Sequence, residues 1–474
     1  MMPSFGLPEE LRAVDLALSE APNDPQLRLR RAAALDALGQ SLAARHAYID
    51  VLRLDPANAE ALNNLGTLLF NGGFRSAARL SYQELIKHHP GHVMGLVNLA
   101  NAELEEGRLE EARRLYEAAI TIEPDTALAH QGLSYALERL GDATGSSRHR
   151  EIGFSLAPLV LTRYRGTSVP VEVLLLLSPA RANVATELAL DDTTFLVAKL
   201  FPEFYDEELP LPPHDVVFNA ISDAERSLPA LEAAERLIAK TGAAVINRPS
   251  RVAQTGRVDV ARRLAGIEGV VVPRMAVVKR EELGGLAMPF PFLLRSPGFH
   301  TGEHFELVPQ AEDLAAAAER LPGNELLAIE FLDARGADGA TRKYRVLFVD
   351  GKAYPLHLAR ATQWKVHYYS ADLVGEPEAI AEETAFLTGM EQALGMRAFT
   401  ALHAIRDVLA LDYFGIDFAL DRQGRLLVFE ANATMKAVPP VASDPNQARH
   451  EAVRSALSAV RALVLRRARE ASSE

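Results

Sequence analysis

Cysteine is absent from the chain. That absence excludes disulfides, thiolate nucleophiles and cysteine-built zinc or iron-sulfur centres. Long apolar runs are missing too: Val171 to Leu177, with Glu172 inside it, falls far short of the roughly 20 residues that cross a bilayer, so no membrane span is expected. Positive charge is also short, with 50 Lys and Arg against 63 Asp and Glu and a formal net charge of −13. Non-specific binding to nucleic acid is therefore disfavoured, because its affinity comes from neutralising phosphates, although a local basic pocket for one nucleotide stays compatible with this balance. Met1 to Glu20 carries Glu9, Glu10 and Asp15 and lacks a basic segment followed by an apolar core, so no secretory signal is read and a cytoplasmic location is expected. What is present is an apolar fraction of 48% over 474 residues, enough for about three domains with cores of their own.

The N-terminal third is periodic. Pro22, Pro56, Pro90, Pro124 and Pro158 recur every 34 residues, as do Gly39, Gly73, Gly107 and Gly141. Small residues form two further ladders in phase, Ala32, Gly66, Ala100 and Ser134, then Ala44, Ala78, Ala112 and Ser146, and Tyr48, Tyr82 and Tyr116 repeat as large packing residues. Each unit reads as helix, turn at the glycine, second helix, and a proline stop, and no unit buries its apolar face without its neighbours. This resembles the tetratricopeptide repeat, with four units from about residue 23 to 158. The usual early aromatic is replaced by Arg28, Leu62, Leu96 and His130. Such solenoids form a concave face that commonly holds a peptide or partner protein. Asn63, Asn64, Asn98 and Asn101 are candidates for hydrogen bonds there, the alternative being ordinary polar helix surface.

Beyond Pro158 the pattern changes. Strands are expected at Val171 to Leu177, Thr194 to Leu200, Val216 to Ile221 and Ala243 to Asn247, with a helix over Leu228 to Thr241, an alternation that argues for a parallel sheet in an α/β domain. Lys343 to Tyr354 reads as a hairpin turning at Asp350-Gly351. A second hairpin is expected within Gly415 to Asn432, turning at Arg422 and Gln423. That register sets Asp417 opposite Val428 and sends Asp417, Glu430 and Asn432 to one face as three hard oxygen ligands suited to magnesium. The alternative is that Glu430 and Asn432 decorate a solvent face.

Taken together, Asn247-Arg248-Pro249-Ser250 through Gly256-Arg257, a helix to Gly266, Val270-Val271-Val272-Pro273, and the terminal Asp417, Glu430-Ala431-Asn432 set resemble an ATP-grasp enzyme over roughly residues 167 to 440. The resemblance implies an α/β pre-domain and two α+β lobes that clasp ATP and two magnesium ions, with manganese as the alternative ion. It implies that Arg257 reaches an ATP phosphate, and that Arg295, at the end of Phe292-Leu293-Leu294-Arg295, stands where the family often has a lysine on the α- and β-phosphates. Gly298 to His304, with His300, Thr301 and Gly302, corresponds to a flap over the phosphates. Glu330, Phe331 and Leu332 correspond to the hinge that reads adenine, with Asp333 on the ribose. Arg345 and Arg360 correspond to arginines near the γ-phosphate and the reacting carboxylate. Lys365 and His367, beside Trp364, share a face if that stretch is extended, and are candidates for substrate contact; a packed aromatic edge with surface cations is the bland alternative.

The expected architecture is therefore an all-α repeat solenoid over 1–160, an α/β pre-domain over 167–270, and α+β ATP-grasp lobes with a C-terminal helix over 271–474. The expected activity is ATP-dependent joining of a carboxylate to an amine through an acyl phosphate, on a peptide or protein recruited by the repeats. Two rival expectations remain, an interaction scaffold with a catalytically weak nucleotide clasp and a small-molecule kinase on the same fold. The sequence leaves the oligomeric state open.

Overall fold

A computed structural model describes residues 7–180, 183–298, 304–366, 373, 375–441 and 443–471. The chain forms two compact units, Met1–Pro170 with Asp192–Glu208, and Val171–Asp191 with Leu209–Glu474.

The first unit holds α1 (Leu7–Glu20), α2 (Pro25–Ala37), α3 (Ser41–Leu54), α4 (Ala59–Asn71), α5 (Arg75–His88), α6 (Val93–Glu105), α7 (Leu109–Ile122), α8 (Ala127–Leu140) and α9 (Ala143–Leu156). Helices α2 to α9 make four antiparallel hairpins in the phase set by the ladders. Gly39, Gly73, Gly107 and Gly141 turn each hairpin with φ of 73°, 81°, 79° and 87°, left-handed backbone that favours glycine. The small residues are small because the helices touch: a Cβ on Gly66 would come within 2.5 Å of the buried Tyr82 ring. Helix α1, absent from the ladders, packs on α2 and is tied by Arg31 to Asp15 at 2.6 Å. The last repeat is closed by Phe154, whose ring meets Phe201 and Phe204 at centroid distances of 4.5 and 5.8 Å. Strand Phe195–Leu200 forms where a strand is expected and pairs antiparallel with Leu159–Leu161 in this first unit.

In the second unit, Val171–Leu176, Val216–Asn219 and Ala244–Ile246 run parallel, and the middle strand is buried along its whole length. Asn247 then leaves this sheet with φ of 55° and clasps the strand Tyr413–Leu420: its side chain donates to Tyr413 O at 2.7 Å and accepts from Tyr413 N at 2.8 Å. Four antiparallel strands follow in the order Met275–Lys279, Glu325–Glu330, Phe292–Arg295, Phe305–Val308. A five-stranded sheet orders Lys352–Ala361, Thr341–Val349, Tyr413–Leu420, Leu426–Asn432 and Val270–Val271, the last pair parallel.

Gly395, with φ of 78°, separates the helices Met390–Leu394 and Met396–Leu409. Two local expectations are corrected. The stretch after Ala361 is a series of bends, so Trp364 and Lys365 lie outside any strand. The second hairpin turns through Asp421 to Arg425 and carries a bulge, so Asp417 faces Glu430 instead of Val428. The longer turn shifts the register by one residue and the bulge by another. The Asp350-Gly351 hairpin takes its expected form, with φ of 52° and 74° at the two turn residues. The C-terminal helix Gln447–Ala471 packs on this hairpin and the parallel strands, burying Val453, Ala456, Val460, Leu463 and Val464.

Candidate functional site

Directly opposed residues of neighbouring strands share a face. His357, Arg345, Asp417 and Glu430 are opposed in succession across four strands, so they form one row over the five-stranded sheet. Lys343, two residues before Arg345, joins the same face, a Lys-x-Arg alternation that was legible in the sequence but not singled out there. Asp417, 2% exposed, accepts from Arg345 Nε at 2.6 Å and Nη2 at 2.8 Å, and Lys343 Nζ sits 2.8 Å from its Oδ2. Burial alone would raise the Asp417 pKa, but Arg345 and Lys343 outweigh it and hold the carboxyl far below the usual range. His357, closing the row, is kept neutral by burial and then by Arg345, which both lower its pKa.

Glu430 meets a different cation. Arg257, 11% exposed, donates from Nη2 to Glu430 Oε1 at 3.1 Å and from Nη1 to Glu225 Oε2 at 2.7 Å. Its burial disfavours the charged form, yet Glu430 and Glu225 more than compensate and its pKa rises. Arg295 lies close enough that Arg257 adds to the effect of burial, and its pKa falls to about 10. The two half-buried guanidiniums thus concentrate positive charge beside Glu430, with Arg257 already shared between Glu225 and Glu430. Asn432 donates to Glu430 Oε1 at 2.8 Å and accepts at Oδ1 from Thr434 N at 3.0 Å. The expected metal set thus does come together, already engaged: Asp417 by two cations, Asn432 as a cap for Thr434. Glu430 Oε2 takes no hydrogen bond among the described residues. Two carboxylates and an amide oxygen, one carboxylate oxygen open, suit a hard dication. Among the described residues no three His, Cys, Asp or Glu side chains are placed to hold a metal ion by themselves, so the amide of Asn432 would have to complete the set.

Other expected residues lie elsewhere. Arg360 opposes Arg342, so alternation puts it on the other face of the sheet from Arg345, where it pairs with Asp338 at 3.1 Å and Glu378 at 3.4 Å. Arg345 and Arg360 therefore do not converge on one reacting group. Glu330 is locked to Arg274 at 3.1 Å, and Asp333 to Arg335 at 2.7 Å, and these hydrogen bonds hold both carboxyls below their ordinary range. Phe331 meets Trp364 edge-on at 6.0 Å, and Leu332 packs beside Ala419 and Leu427. Phe305 collects Trp364 edge-on at 5.7 Å, with Arg295 at 5.6 Å and Lys365 at 5.8 Å from its centroid. His300, Thr301, Gly302 and His367 lie outside the described residues. A cleft of about 20 Å³ opens between Arg257, Pro273, Met275, Phe429, Glu430 and Asn432, room for an ion or a water and not for a nucleotide without movement of its walls.

In the solenoid, Asn98 donates to Asn63 at 2.9 Å, Asn63 to Asn64 at 3.2 Å, and Asn64 to the Tyr48 hydroxyl at 3.2 Å, so these amides link successive repeats. Asn101 accepts from the Tyr116 hydroxyl at 2.5 Å.

The family model for the tetratricopeptide repeat matches residues 29–84, 64–125 and 97–146, so the N-terminal part carries these repeats. Among solved structures, MamA from residue 41 to its end, from Desulfovibrio magneticus RS-1, is 22% identical, with 32% of this chain and 86% of that chain covered and a TM-score of 0.30. YrrB, described as a TPR protein with an unusual peptide-binding site, is 16% identical over 32% of this chain and 78% of its own, with a TM-score of 0.29. No curated protein matches the chain. Among the described residues no helix is long and apolar enough to cross a membrane.

Proposed function

We propose that the chain is an ATP- and magnesium-dependent carboxylate-amine ligase of the ATP-grasp type, acting on a peptide or protein that its repeats recruit. One observation carries the reading: two cations, Lys343 and Arg345, then two carboxylates, Asp417 and Glu430, and the amide of Asn432 share one sheet face, with the half-buried Arg257 and Arg295 beside Glu430. Bound Mg·ATP would supply a transferable phosphoryl group that turns a substrate carboxylate into an acyl phosphate with release of ADP, and an amine would then take the acyl group with phosphate as the leaving group. Glu430, Asp417 and Asn432 would hold the metal, and Lys343 and Arg345, released from Asp417, would turn to phosphate oxygens. Arg257 and Arg295 would neutralise polyphosphate charge, and their partial burial would strengthen the attraction. Trp364 and Lys365 are proposed to border the substrate. The repeats support recruitment of a peptide or protein, since stacked helical hairpins of this kind make extended binding surfaces.

ADP release on adding ATP, magnesium and candidate peptides tests the proposal; absence of any nucleotide binding across magnesium concentrations would refute it. A second reading, a scaffold that holds nucleotide without turnover, draws on the full engagement of Asp417 by Arg345 and Lys343. It is distinguished by retained nucleotide affinity with no ADP formed.

A further inference from the structure

Glu225 was not singled out by any sequence pattern, yet it makes the tightest grip on Arg257. Its two oxygens take the Arg257 backbone N at 3.1 Å and Nη1 at 2.7 Å, so one carboxylate fixes both ends of the same residue. Glu430 receives only Nη2 of that guanidinium, at 3.1 Å, and keeps Oε2 outside the hydrogen-bond network of the described residues. Glu225 is itself set by its turn, where its backbone N donates to Asp223 Oδ1 at 2.8 Å.

We propose that Glu225 is a positioning residue that holds Arg257 partly away from Glu430 and so leaves Glu430 able to take a divalent cation. The inference rests on the ligase reading, because it concerns the metal that reading requires. A guanidinium and a dication compete for the same carboxylate, and each is repelled by the other. With Glu225 present, Arg257 divides its donors between two carboxylates. Without it, the whole fork is free to close on Glu430 in the bidentate geometry that Arg and carboxylate favour. Metal affinity then falls, while affinity for the anionic nucleotide alone holds or rises, since a negative charge has left the cleft.

The test is Mn²⁺ binding to the full chain in the presence of ADP, followed by electron paramagnetic resonance, with ADP affinity measured separately without metal. Glu225→Gln is expected to weaken Mn²⁺ binding about five- to tenfold, a change of about 1 to 1.4 kcal/mol, with metal-free ADP affinity unchanged or stronger. Arg257→Lys, whose single ammonium cannot fork, should remove most of the effect of Glu225→Gln in the double variant, an outcome that general loosening of the fold would not give. Glu225→Asp, which keeps the charge but shortens the reach, should lie between wild type and Gln and covers the case in which Gln misfolds. If wild type binds Mn²⁺ and ADP but both Glu225 variants titrate like it, the inference is overturned and the ligase reading stands. If wild type binds neither, both fall.

Discussion

Replacing Asp417 with Asn tests the charged row at its centre. Asparagine keeps the size of the side chain and one carbonyl oxygen, so packing is nearly conserved and the loss is one of charge. Lys343 and Arg345, 17% and 25% exposed in their side chains, would face one another without their shared anion. Breaking a buried ion pair by removing one partner costs about 3 to 5 kcal/mol, and partial access of water to both cations argues for the lower end, about 3 kcal/mol. The assay is urea unfolding at pH 7 followed by tryptophan emission, because Trp364 is the sole tryptophan and belongs to the second unit. The sign of the pH dependence follows from the lowered pKa of Asp417. A carboxylate depressed in the folded state stabilises fully above its unfolded pKa of about 3.9, and that contribution is lost as pH falls below it, by about 1.4 kcal/mol per pH unit. Wild type and Asp417→Asn should therefore differ by a constant amount from pH 5 to 8 and converge in acid. A difference under about 1 kcal/mol at neutral pH, or one that persists unchanged at pH 2.5, would refute the argument that this anion neutralises both cations.

Further outcomes follow from packing. Gly66→Ala should destabilise the repeats by about 1 to 3 kcal/mol despite better helix propensity, because the added Cβ meets the buried Tyr82 ring; a higher melting temperature of the first unit by circular dichroism would count against it. Asn247→Ala should cost about 2 to 4 kcal/mol in the tryptophan-reported transition, since two bonds to Tyr413 are lost and alanine must adopt φ of 55°. Asn247→Gly separates the contributions by relieving the backbone and not the bonds, so recovery to wild-type stability would show that the amide contributes nothing.

The repeats were legible because four ladders share one period, and each rung has a steric reason visible in a single residue type: glycine for left-handed turns, small side chains for helix contact, proline for stops. Helix α1 lies outside the period and had no such signature. The second hairpin was legible as an element but not in its register, since the bulge beside Asp417 leaves no mark in residue types and moves Glu430 opposite Asp417. Partners distant in sequence were the hardest to read. Glu225 reaches Arg257 across 32 residues and Arg257 reaches Glu430 across 173, so no local pattern announces that one guanidinium serves two carboxylates. Arg360 was readable as charged and near the hairpin, but its face depends on pairing with Arg342, which a shift of one residue would reverse.

In the proposed ligase, Glu430, Asn432 and Asp417 hold a divalent ion that presents a nucleotide to Arg257 and Arg295. Anomalous scattering of manganese in crystals of the full chain grown with a non-hydrolysable ATP analogue would locate that ion. A peak is expected within roughly 2.5 Å of oxygens from Glu430 and at least one of the other two side chains, with a phosphate oxygen on the same ion. Nucleotide density with the ion bound elsewhere, or crystals saturated in both that show neither at this sheet face, would contradict it.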